Sequence, residues 1–283
     1  MRTVGVVGAG TMGNGIAHVF AQSGREVRLV DADPAALTRA RDTIARNLER
    51  QARRGALARP AEEVLARIDS RGELEALAGV DLVVEAIVED PAAKLRLFRE
   101  LDGLVGGGIL ASNTSAISIT RLGAATRRPA RVVGMHFMNP VPVMPLVEVV
   151  SGLDTSADVT ERIVALCREL GKSPVVVRDS PGFVSNRVLM PMINEAVFCL
   201  AEGVADAPAI DEVLQLGMRH PLGPLALADL IGLDVCLAIL EVLHAELGED
   251  KYRPCPLLRR MVAAGHLGRK SGRGFHAYPE AGA

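Results

Sequence analysis

The sequence has few aromatic residues and almost no net charge. Aromatic residues make up 3% of its 283 residues and tryptophan is absent, so the stacking surfaces of a single-strand nucleic-acid binder are missing. The 32 Lys and Arg residues nearly balance the 34 Asp and Glu residues, which leaves a formal charge of −2. No global field therefore attracts nucleic acid or an anionic membrane, and an anionic ligand must be held by local contacts.

Cysteine is also scarce, and long hydrophobic runs are absent. The four cysteines, Cys167, Cys199, Cys236 and Cys255, show no CxxC spacing, so neither a zinc site nor a disulfide framework is indicated. No apolar run approaches the roughly 18 residues of a membrane span, and glycines interrupt the N-terminus before a signal-peptide core could form. We therefore expect a cytoplasmic protein without a metal and with no nucleic-acid or membrane partner.

The remaining composition, with 49% hydrophobic and 23% charged residues, is that of a globular chain with two domains. Up to about residue 180, short β-branched runs alternate with helical stretches. The runs cover residues 3–7, 26–30, 80–87, 109–112, 131–136, 146–150 and 173–177. This alternation predicts an α/β domain with a parallel, doubly wound sheet. Residues 35–67, which Gly55 and Pro60 punctuate, predict an inserted helical hairpin.

The pattern changes after Ser180-Pro181-Gly182, where the β signal ends. Apolar residues then recur at helical spacing through residues 184–201, 209–216, 225–247 and 257–264. We therefore predict a first domain over residues 1–182, followed by an all-α domain over residues 183–283.

A glycine cluster, Gly8-Ala9-Gly10-Thr11-Met12-Gly13, follows the first predicted strand and opens a helix. Its glycines stand where a tight turn, close phosphate approach and close helix packing need them. Asp31 ends the second predicted strand, where a carboxylate can accept hydrogen bonds from the adenosine ribose and would repel a 2′-phosphate. The pattern predicts NAD rather than NADP. A glycine-rich turn without a nucleotide is the alternative, and the agreement of these features in order disfavours it.

His136 ends a predicted strand, and Glu148 follows in the next one beyond a proline-rich turn. If the two strands are neighbours, the carboxylate can accept one imidazole N–H and support positive charge on the ring, while the other nitrogen faces substrate. Oxidation of an alcohol by NAD requires such a base. A structural histidine and a glutamate paired with an arginine remain the alternative.

Two further segments offer polar groups for a substrate. Ser112-Asn113-Thr114-Ser115 follows a predicted strand, where its hydroxyls and amide could hold a substrate oxygen or could cap the next helix. Asn186 lies at the junction of the two predicted domains, where a buried amide needs a partner. We expect Asn186 to contact substrate.

These segments, together with Val84–Glu89, Pro181–Arg187 and Gly272–Phe275, resemble the 3-hydroxyacyl-CoA dehydrogenases, in order and across nearly the whole chain. The similarity is greatest to the short, stand-alone 3-hydroxybutyryl-CoA dehydrogenases of bacteria. It implies a Rossmann-like N-terminal domain, an α-helical C-terminal domain that forms a homodimer, and reversible NAD-linked oxidation of (S)-3-hydroxyacyl-CoA. Such chemistry belongs to fatty acid β-oxidation and butanoate metabolism.

The resemblance also implies roles for individual residues. His136 corresponds to the general base, Glu148 to its orienting partner, and Ser115 and Asn186 to hydrogen-bonding residues around the substrate oxygens. Asn47 and Arg54 correspond to contacts with the acyl-CoA substrate. The implied NAD contacts are Gly8, Ala9, Gly10, Thr11, Met12, Gly13, Asp31, Glu89, Lys94, Asn113, Ser115, Asn139 and Lys270.

The sequence departs from the family pattern at three positions. Pro145 stands where many members have Lys, Met138 where Phe is common, and His276 where Tyr is usual.

Two other functions are compatible with much of the pattern. Relatives such as L-gulonate dehydrogenase share the nucleotide site and the His and Glu pair but do not use CoA. The second alternative is a recruited, non-catalytic NAD-binding protein of the crystallin kind. This alternative is disfavoured by the presence together of His136, Glu148, Ser115 and Asn186.

Overall fold

A computed structural model describes residues 1–278 of the chain. The chain divides into two compact units, the first being Met1–Ser180 and the second beginning at Pro181. The sequence predicts the boundary slightly later, after residue 182. Residues 279–283 of the predicted second domain lie outside the described residues.

The first unit contains a sheet of eight strands in the order β3-β2-β1-β4-β5-β6-β7-β8. The strands are β1 (Thr3–Val7), β2 (Glu26–Val30), β3 (Ile68–Arg71), β4 (Leu82–Glu85), β5 (Ile109–Ser112), β6 (Val132–Phe137), β7 (Leu146–Ser151) and β8 (Ser173–Arg178). The order 3-2-1-4-5-6 is that of a doubly wound, Rossmann-like fold, in which ligands bind at the carboxyl ends of the strands where the winding reverses. The predicted fold class is confirmed.

The sheet differs from the predicted all-parallel one at a single pairing. Strands β6 and β7 run antiparallel, whereas the other neighbouring pairs are parallel. Residues 138–145 join these two strands, and a parallel crossover needs a dozen residues or more. The connection is therefore a hairpin, and the prediction of a purely parallel sheet was wrong.

The sequence pattern also missed β3. Its residues, Ile68-Asp69-Ser70-Arg71, are mostly polar, and only Ile68 is buried. Because β3 is the last strand at one edge of the sheet, one apolar residue is enough to anchor it to the core. A strand of this kind carries little of the apolar pattern by which strands are recognised.

The helices of the first unit are α1 (Thr11–Gln22), α2 (Pro34–Arg53), α3 (Ala61–Leu65), α4 (Pro91–Leu104), α5 (Ile119–Ala124) and α6 (Ala157–Glu169). Helices α2 and α3 form the predicted hairpin. Helix α2 begins where the Asp33 carboxylate accepts a hydrogen bond from the amide of Ala35, with Pro34 in the first turn. Its buried residues, Ala40, Ile44 and Leu48, join the main hydrophobic core. The inner face of the hairpin is therefore part of the domain.

The second unit is helical, as predicted, and contains α7 (Ser185–Ala201), α8 (Ala207–Met218), α9 (Pro224–Ile231), α10 (Leu233–Leu247) and α11 (Pro256–Ala263). The apolar run over residues 225–247 predicts one helix, but the structure has two. Gly232 separates them with φ of 106°, which a residue other than glycine rarely adopts. The prediction of one continuous helix was therefore wrong.

Two buried carboxylates hold the last described segment against the second unit. Asp229 accepts hydrogen bonds from the amides of Phe275 and His276, both at 2.9 Å, and from the Tyr278 hydroxyl at 3.0 Å. The His276 imidazole lies 2.7 Å from Asp211. His276 therefore has a structural partner within the same unit.

The thiols of the chain are free, and three of them, Cys167, Cys236 and Cys255, are buried. Burial raises the pKa of Cys167 and of Cys236 to about 12, so these two thiols stay protonated and pack as small apolar side chains. Within residues 1–278, each helix is too short or too polar to cross a membrane.

Candidate active site

The glycine cluster forms the turn between β1 and α1. Gly8 has φ of 99°, and a Cβ there would lie 2.5 Å from the carbonyl oxygen of Ala86, in the loop after β4. A Cβ on Gly13 would lie 1.7 Å from the carbonyl oxygen of Gly8, so glycine is required at both positions. A Cβ on Gly10 would meet nothing within 4 Å, because this glycine borders open space.

Helix α1 begins at this turn without a side-chain cap, because its N-cap residue is Gly10. Thr11 and Met12 form the first turn of the helix. The first amides of a helix have no partner within the helix, and together with the helix dipole they attract a phosphate. The arrangement suits an anionic group placed over Gly10.

Asp31 follows β2 and stands beside the glycine turn. One carboxylate oxygen accepts a hydrogen bond from the amide of Ala9 at 2.7 Å, and the other accepts one from the amide of Asp33 at 2.9 Å. These contacts fix the carboxylate at the carboxyl end of β2, where a ribose of a bound dinucleotide would lie. Its negative charge favours a ribose hydroxyl over a ribose phosphate at this position.

His136 and Glu148 face each other across the antiparallel strands β6 and β7. They are directly paired in the register of the two strands, and such residues project from the same face of a sheet. The imidazole Nδ1 lies 2.7 Å from Oε2 of Glu148, and both side chains are buried. With Nδ1–H donating to the carboxylate, Nε2 of the ring is the nitrogen that can accept a proton.

A buried ionic network lies behind the ends of β4 and β5. Lys94 is 1% exposed, and its ammonium contacts the carboxylate of Glu85 and lies 3.2 Å from that of Glu89. Glu85 also accepts hydrogen bonds from the Ser112 hydroxyl at 2.6 Å and from the amide of Ile87 at 2.7 Å. Within this unit Lys94 therefore holds two carboxylates, and its role as an NAD contact stays a prediction.

Glu89 ties this network to the segment after β5. Its Oε1 accepts hydrogen bonds from the Thr114 hydroxyl at 2.5 Å and from the amide of Ser115 at 2.8 Å. Asn113 is engaged differently, because its amide oxygen accepts a hydrogen bond from the amide of Phe137 at 2.9 Å and so links β5 to the end of β6. The network therefore fixes the backbone of Ser115 and lies at the same edge of the sheet as the glycine turn.

The predicted substrate contacts Asn47 and Arg54 line a groove between α2 and the loop after β6. Its volume is about 300 Å³, and its other lining residues are Arg50, Gln51, Pro140, Pro142 and Val143. Arg50 donates a hydrogen bond to the side-chain oxygen of Asn47 at 2.6 Å. One wall of the groove is polar and carries two arginines, and the opposite wall is apolar.

The structure describes the three remaining predicted site residues, each within its own unit. Asn139 is exposed at the start of the loop after β6. Asn186 and Lys270 belong to the second unit, where Asn186 is buried in the first turn of α7 and Lys270 pairs with Asp234 at 2.6 Å. The roles of all three residues stay predictions.

Glu85 was assigned no role from the sequence, although a signal was present. A charged residue in the buried strand Leu82-Val83-Val84-Glu85 needs a partner of opposite charge, and Lys94 follows nine residues later, in α4. A second missed residue, Lys172, had no such signal, because its partners are backbone carbonyls.

The residues of the first unit fit a bound NAD. The open space over Gly10, the uncapped start of α1 and the fixed carboxylate of Asp31 are the features that a pyrophosphate and an adenosine ribose require. The cofactor would therefore lie at the carboxyl ends of β1 and β4, where the winding of the sheet reverses.

Comparison with known proteins gives matches over nearly the whole chain. Residues 3–180 match the family model described as 3-hydroxyacyl-CoA dehydrogenase, NAD binding domain, and residues 182–278 match the C-terminal domain of the same family. The probable 3-hydroxybutyryl-CoA dehydrogenase of Bacillus subtilis is 53% identical over 99% of this chain and 98% of its own length. The probable 3-hydroxybutyryl-CoA dehydrogenase of Deinococcus radiodurans is 55% identical over 97% and 99%.

A solved structure is similar throughout. The crystal structure of (S)-3-hydroxybutyryl-CoA dehydrogenase from Ralstonia eutropha superimposes with a TM-score of 0.95 at 50% identity. The match covers 99% of this chain and the whole of that one. The first unit is an NAD-binding domain, as the sequence predicts.

Two glycine substitutions separate cofactor binding from folding. Gly10→Ala adds a methyl group only to open space, so we expect a small drop in melting temperature, because alanine is a poorer N-cap than glycine. NADH binding should weaken about tenfold or more, because the methyl group fills the space that the pyrophosphate needs. Gly13→Ala should lower both the melting temperature and the affinity for NADH, since its Cβ would collide with the Gly8 carbonyl. Thermal melts and NADH fluorescence titrations measure the two effects.

The matched control is Gly103→Ala in α4, where a Cβ also meets nothing within 4 Å. This variant should bind NADH as the parent protein does. Parental NADH affinity in Gly10→Ala would contradict the placement of the pyrophosphate.

Proposed function

Because the chain belongs to the 3-hydroxyacyl-CoA dehydrogenase family, we propose that it is an NAD-dependent oxidoreductase that converts (S)-3-hydroxybutyryl-CoA to acetoacetyl-CoA reversibly. The observation that carries this proposal is the buried pair of His136 and Glu148, 2.7 Å apart, within an NAD-binding domain. Full-length relatives that carry the name 3-hydroxybutyryl-CoA dehydrogenase support the choice of substrate.

His136 acts as the general base. Its Nε2 accepts the proton of the 3-hydroxyl group, and in the reverse direction the imidazolium returns that proton to the forming alkoxide. Glu148 holds the Nδ1–H tautomer through the 2.7 Å contact and stabilises the positive ring that results. NAD, when bound, supplies the acceptor for the hydride from C3.

Other residues bind and orient the reactants. The glycine turn and Asp31 hold the pyrophosphate and the adenosine ribose. Ser115, whose backbone is fixed by Glu89, and Asn186, at the start of α7, donate hydrogen bonds to the substrate oxygens. Thr11, Met12, Glu89, Lys94, Asn113, Ser115, Asn139 and Lys270 complete the proposed NAD contacts.

The groove between α2 and the loop after β6 binds the CoA part of the substrate. Arg54 and Arg50 present positive charge for its phosphates, and Pro140, Pro142 and Val143 offer an apolar surface for the chain that leads to the thioester. This groove favours a CoA substrate over the small acids that L-gulonate dehydrogenase oxidises. The ordered His136 and Glu148 pair argues against a non-catalytic NAD-binding protein.

Replacing the pair tests the proposed chemistry. We expect His136→Ala to lower kcat for acetoacetyl-CoA reduction by about 10²- to 10⁴-fold, the usual contribution of a general acid or base, with the NADH dissociation constant unchanged. Glu148→Gln should also lower kcat, because a glutamine amide can donate to Nδ1 and so stabilise the tautomer in which Nε2 is already protonated. Steady-state kinetics and NADH titration measure both quantities.

His244→Ala is the control, since His244 lies on α10, is partly exposed and has no proposed role in catalysis. This variant should retain parental turnover. Near-parental turnover in His136→Ala would contradict the role of the base, and a large rise in the NADH dissociation constant of Glu148→Gln would contradict that of its partner.

The groove is tested by a matched pair of arginine substitutions. Arg54→Ala should raise KM for acetoacetyl-CoA about two- to fivefold at low salt, the range for an exposed ion pair, and the effect should shrink as salt screens the charge. Arg46→Ala removes the same charge from an exposed position on α2 outside the groove and should leave KM unchanged. An unchanged KM in Arg54→Ala would remove this residue from the substrate site.

We also propose that the protein forms a homodimer through its second unit. Helix α8 exposes Val213, Leu216 and Met218, which are 63%, 76% and 66% exposed, and apolar residues in such numbers on one helix mark an interaction surface. Sedimentation velocity should show a dimer for the parent protein and a monomer for Leu216→Glu. Leu153→Glu, at an exposed residue of the first unit, should remain a dimer. A monomeric parent protein would contradict the proposal.

A further inference from the structure

The loop that joins the strands of His136 and Glu148 forms the apolar wall of the groove. We call residues 138–145 the proline loop, because Pro140, Pro142 and Pro145 lie within it. Prolines lack the amide donor, so they limit the backbone hydrogen bonds that the loop can make within itself. Its internal ones run from the amides of Val143 and Met144 to the carbonyl oxygen of Pro140. Contacts from neighbouring elements must therefore fix its position.

Lys172 supplies the first of these contacts. It lies between α6 and β8, is 8% exposed, and donates hydrogen bonds from its ammonium to the carbonyl oxygens of Val141 at 2.5 Å and Met144 at 2.8 Å. The next amide, that of Ser173, donates to the carbonyl oxygen of Pro145 at 2.8 Å. Two consecutive residues thus hold the proline loop at three carbonyl groups.

The ammonium of Lys172 is paired with carbonyl oxygens rather than with a carboxylate. Over residues 1–278, no carboxylate oxygen lies within 4.0 Å of its ammonium. Removing an ammonium from water is costly, and carbonyl oxygens compensate only in part. Burial accordingly lowers the pKa of Lys172. A buried ammonium that is bonded only to loop carbonyls adds little to the free energy of unfolding. This points to a role for Lys172 in positioning the loop.

The proline loop also packs against α1, the helix that begins at the glycine turn. Val141 is 1% exposed, and a Cβ on Gly15 of α1 would lie 2.8 Å from the Cβ of Val141. The proline loop is therefore held both by α1 and by Lys172. A shift of this loop displaces Pro140, Pro142 and Val143, which face Arg54 across the groove.

We propose that Lys172 is a positioning residue for the acyl-CoA substrate, which it does not touch: by holding the carbonyls of Val141 and Met144 it sets the apolar wall of the groove. The inference rests on the proposed function, since it assumes that the groove binds the CoA part of the substrate. It assigns Lys172 an effect on substrate affinity and none on proton transfer at His136.

Lys172→Met tests this role, because methionine keeps much of the side-chain volume and removes the ammonium. We expect KM for acetoacetyl-CoA to rise about fivefold to tenfold, which is less than the direct loss of a hydrogen bond to a charged group would give, because Lys172 acts on the substrate only through the loop. The value of kcat should change less than twofold. The N-acetylcysteamine thioester of acetoacetate lacks the nucleotide of CoA and most of the pantetheine chain that would lie on the apolar wall, so it should show a smaller rise in KM.

Hydrogen exchange gives a readout that does not depend on activity. In Lys172→Met the peptide that covers residues 138–147 should exchange faster, whereas peptides from β1 should exchange as in the parent protein. Val141→Ala loosens the same loop from its α1 side, and it should reproduce both the KM rise and the faster exchange. This second variant keeps the test decisive if Lys172→Met does not fold.

Leu166→Ala is the matched control, since this buried residue of α6 is part of the core and does not line the groove. It should lower the melting temperature and leave KM and exchange of the proline loop unchanged. Parental KM and parental loop exchange in Lys172→Met would overturn the inference, and so would a loss of kcat without a change in KM. Failure of the parent protein to reduce acetoacetyl-CoA would instead overturn the proposed function, and the exchange data would still report whether Lys172 holds the loop.

Discussion

The antiparallel pairing of β6 with β7 is the constraint on which the candidate site depends. Its register places His136 opposite Glu148 on one face of the sheet, and a slip of one residue would move the two side chains to opposite faces. The buried 2.7 Å contact follows from this register. The hairpin has a second consequence, because the loop that makes the turn is also a wall of the groove. One connection thus joins the proposed base to the proposed substrate site.

Buried charge fixes the parts of the site that the sheet does not fix. Lys94 joins Glu85 at the end of β4 to Glu89, which holds the backbone of Ser115. Removing one partner of such a pair typically costs about 3–5 kcal/mol, because the other charge is left buried. Lys172 likewise orders the backbone of the proline loop, but it does so through carbonyl groups instead of carboxylates. Both lysines order backbone next to the places where ligands are proposed to bind.

Much of this arrangement could be predicted from the sequence, and the exceptions have physical reasons. The glycine turn and Asp31 were predictable because their spacing reflects local requirements of a strand, a turn and a helix. The direction of β7 was not, since β-branched runs indicate strands but carry no direction. The break at Gly232 was hidden by apolar residues on both sides. Lys172 was not found because a lysine bonded to backbone carbonyls leaves no complementary residue in the sequence.

The central claim is that this chain reduces a CoA thioester with NADH. The most direct test is NADH oxidation by the purified protein with acetoacetyl-CoA, run beside free acetoacetate and beside NADPH. The account predicts rapid turnover only for NADH with the thioester, because Asp31 disfavours a ribose phosphate and the groove of Asn47 and Arg54 binds the CoA part. Absence of turnover with acetoacetyl-CoA, or equal turnover with free acetoacetate, would contradict it.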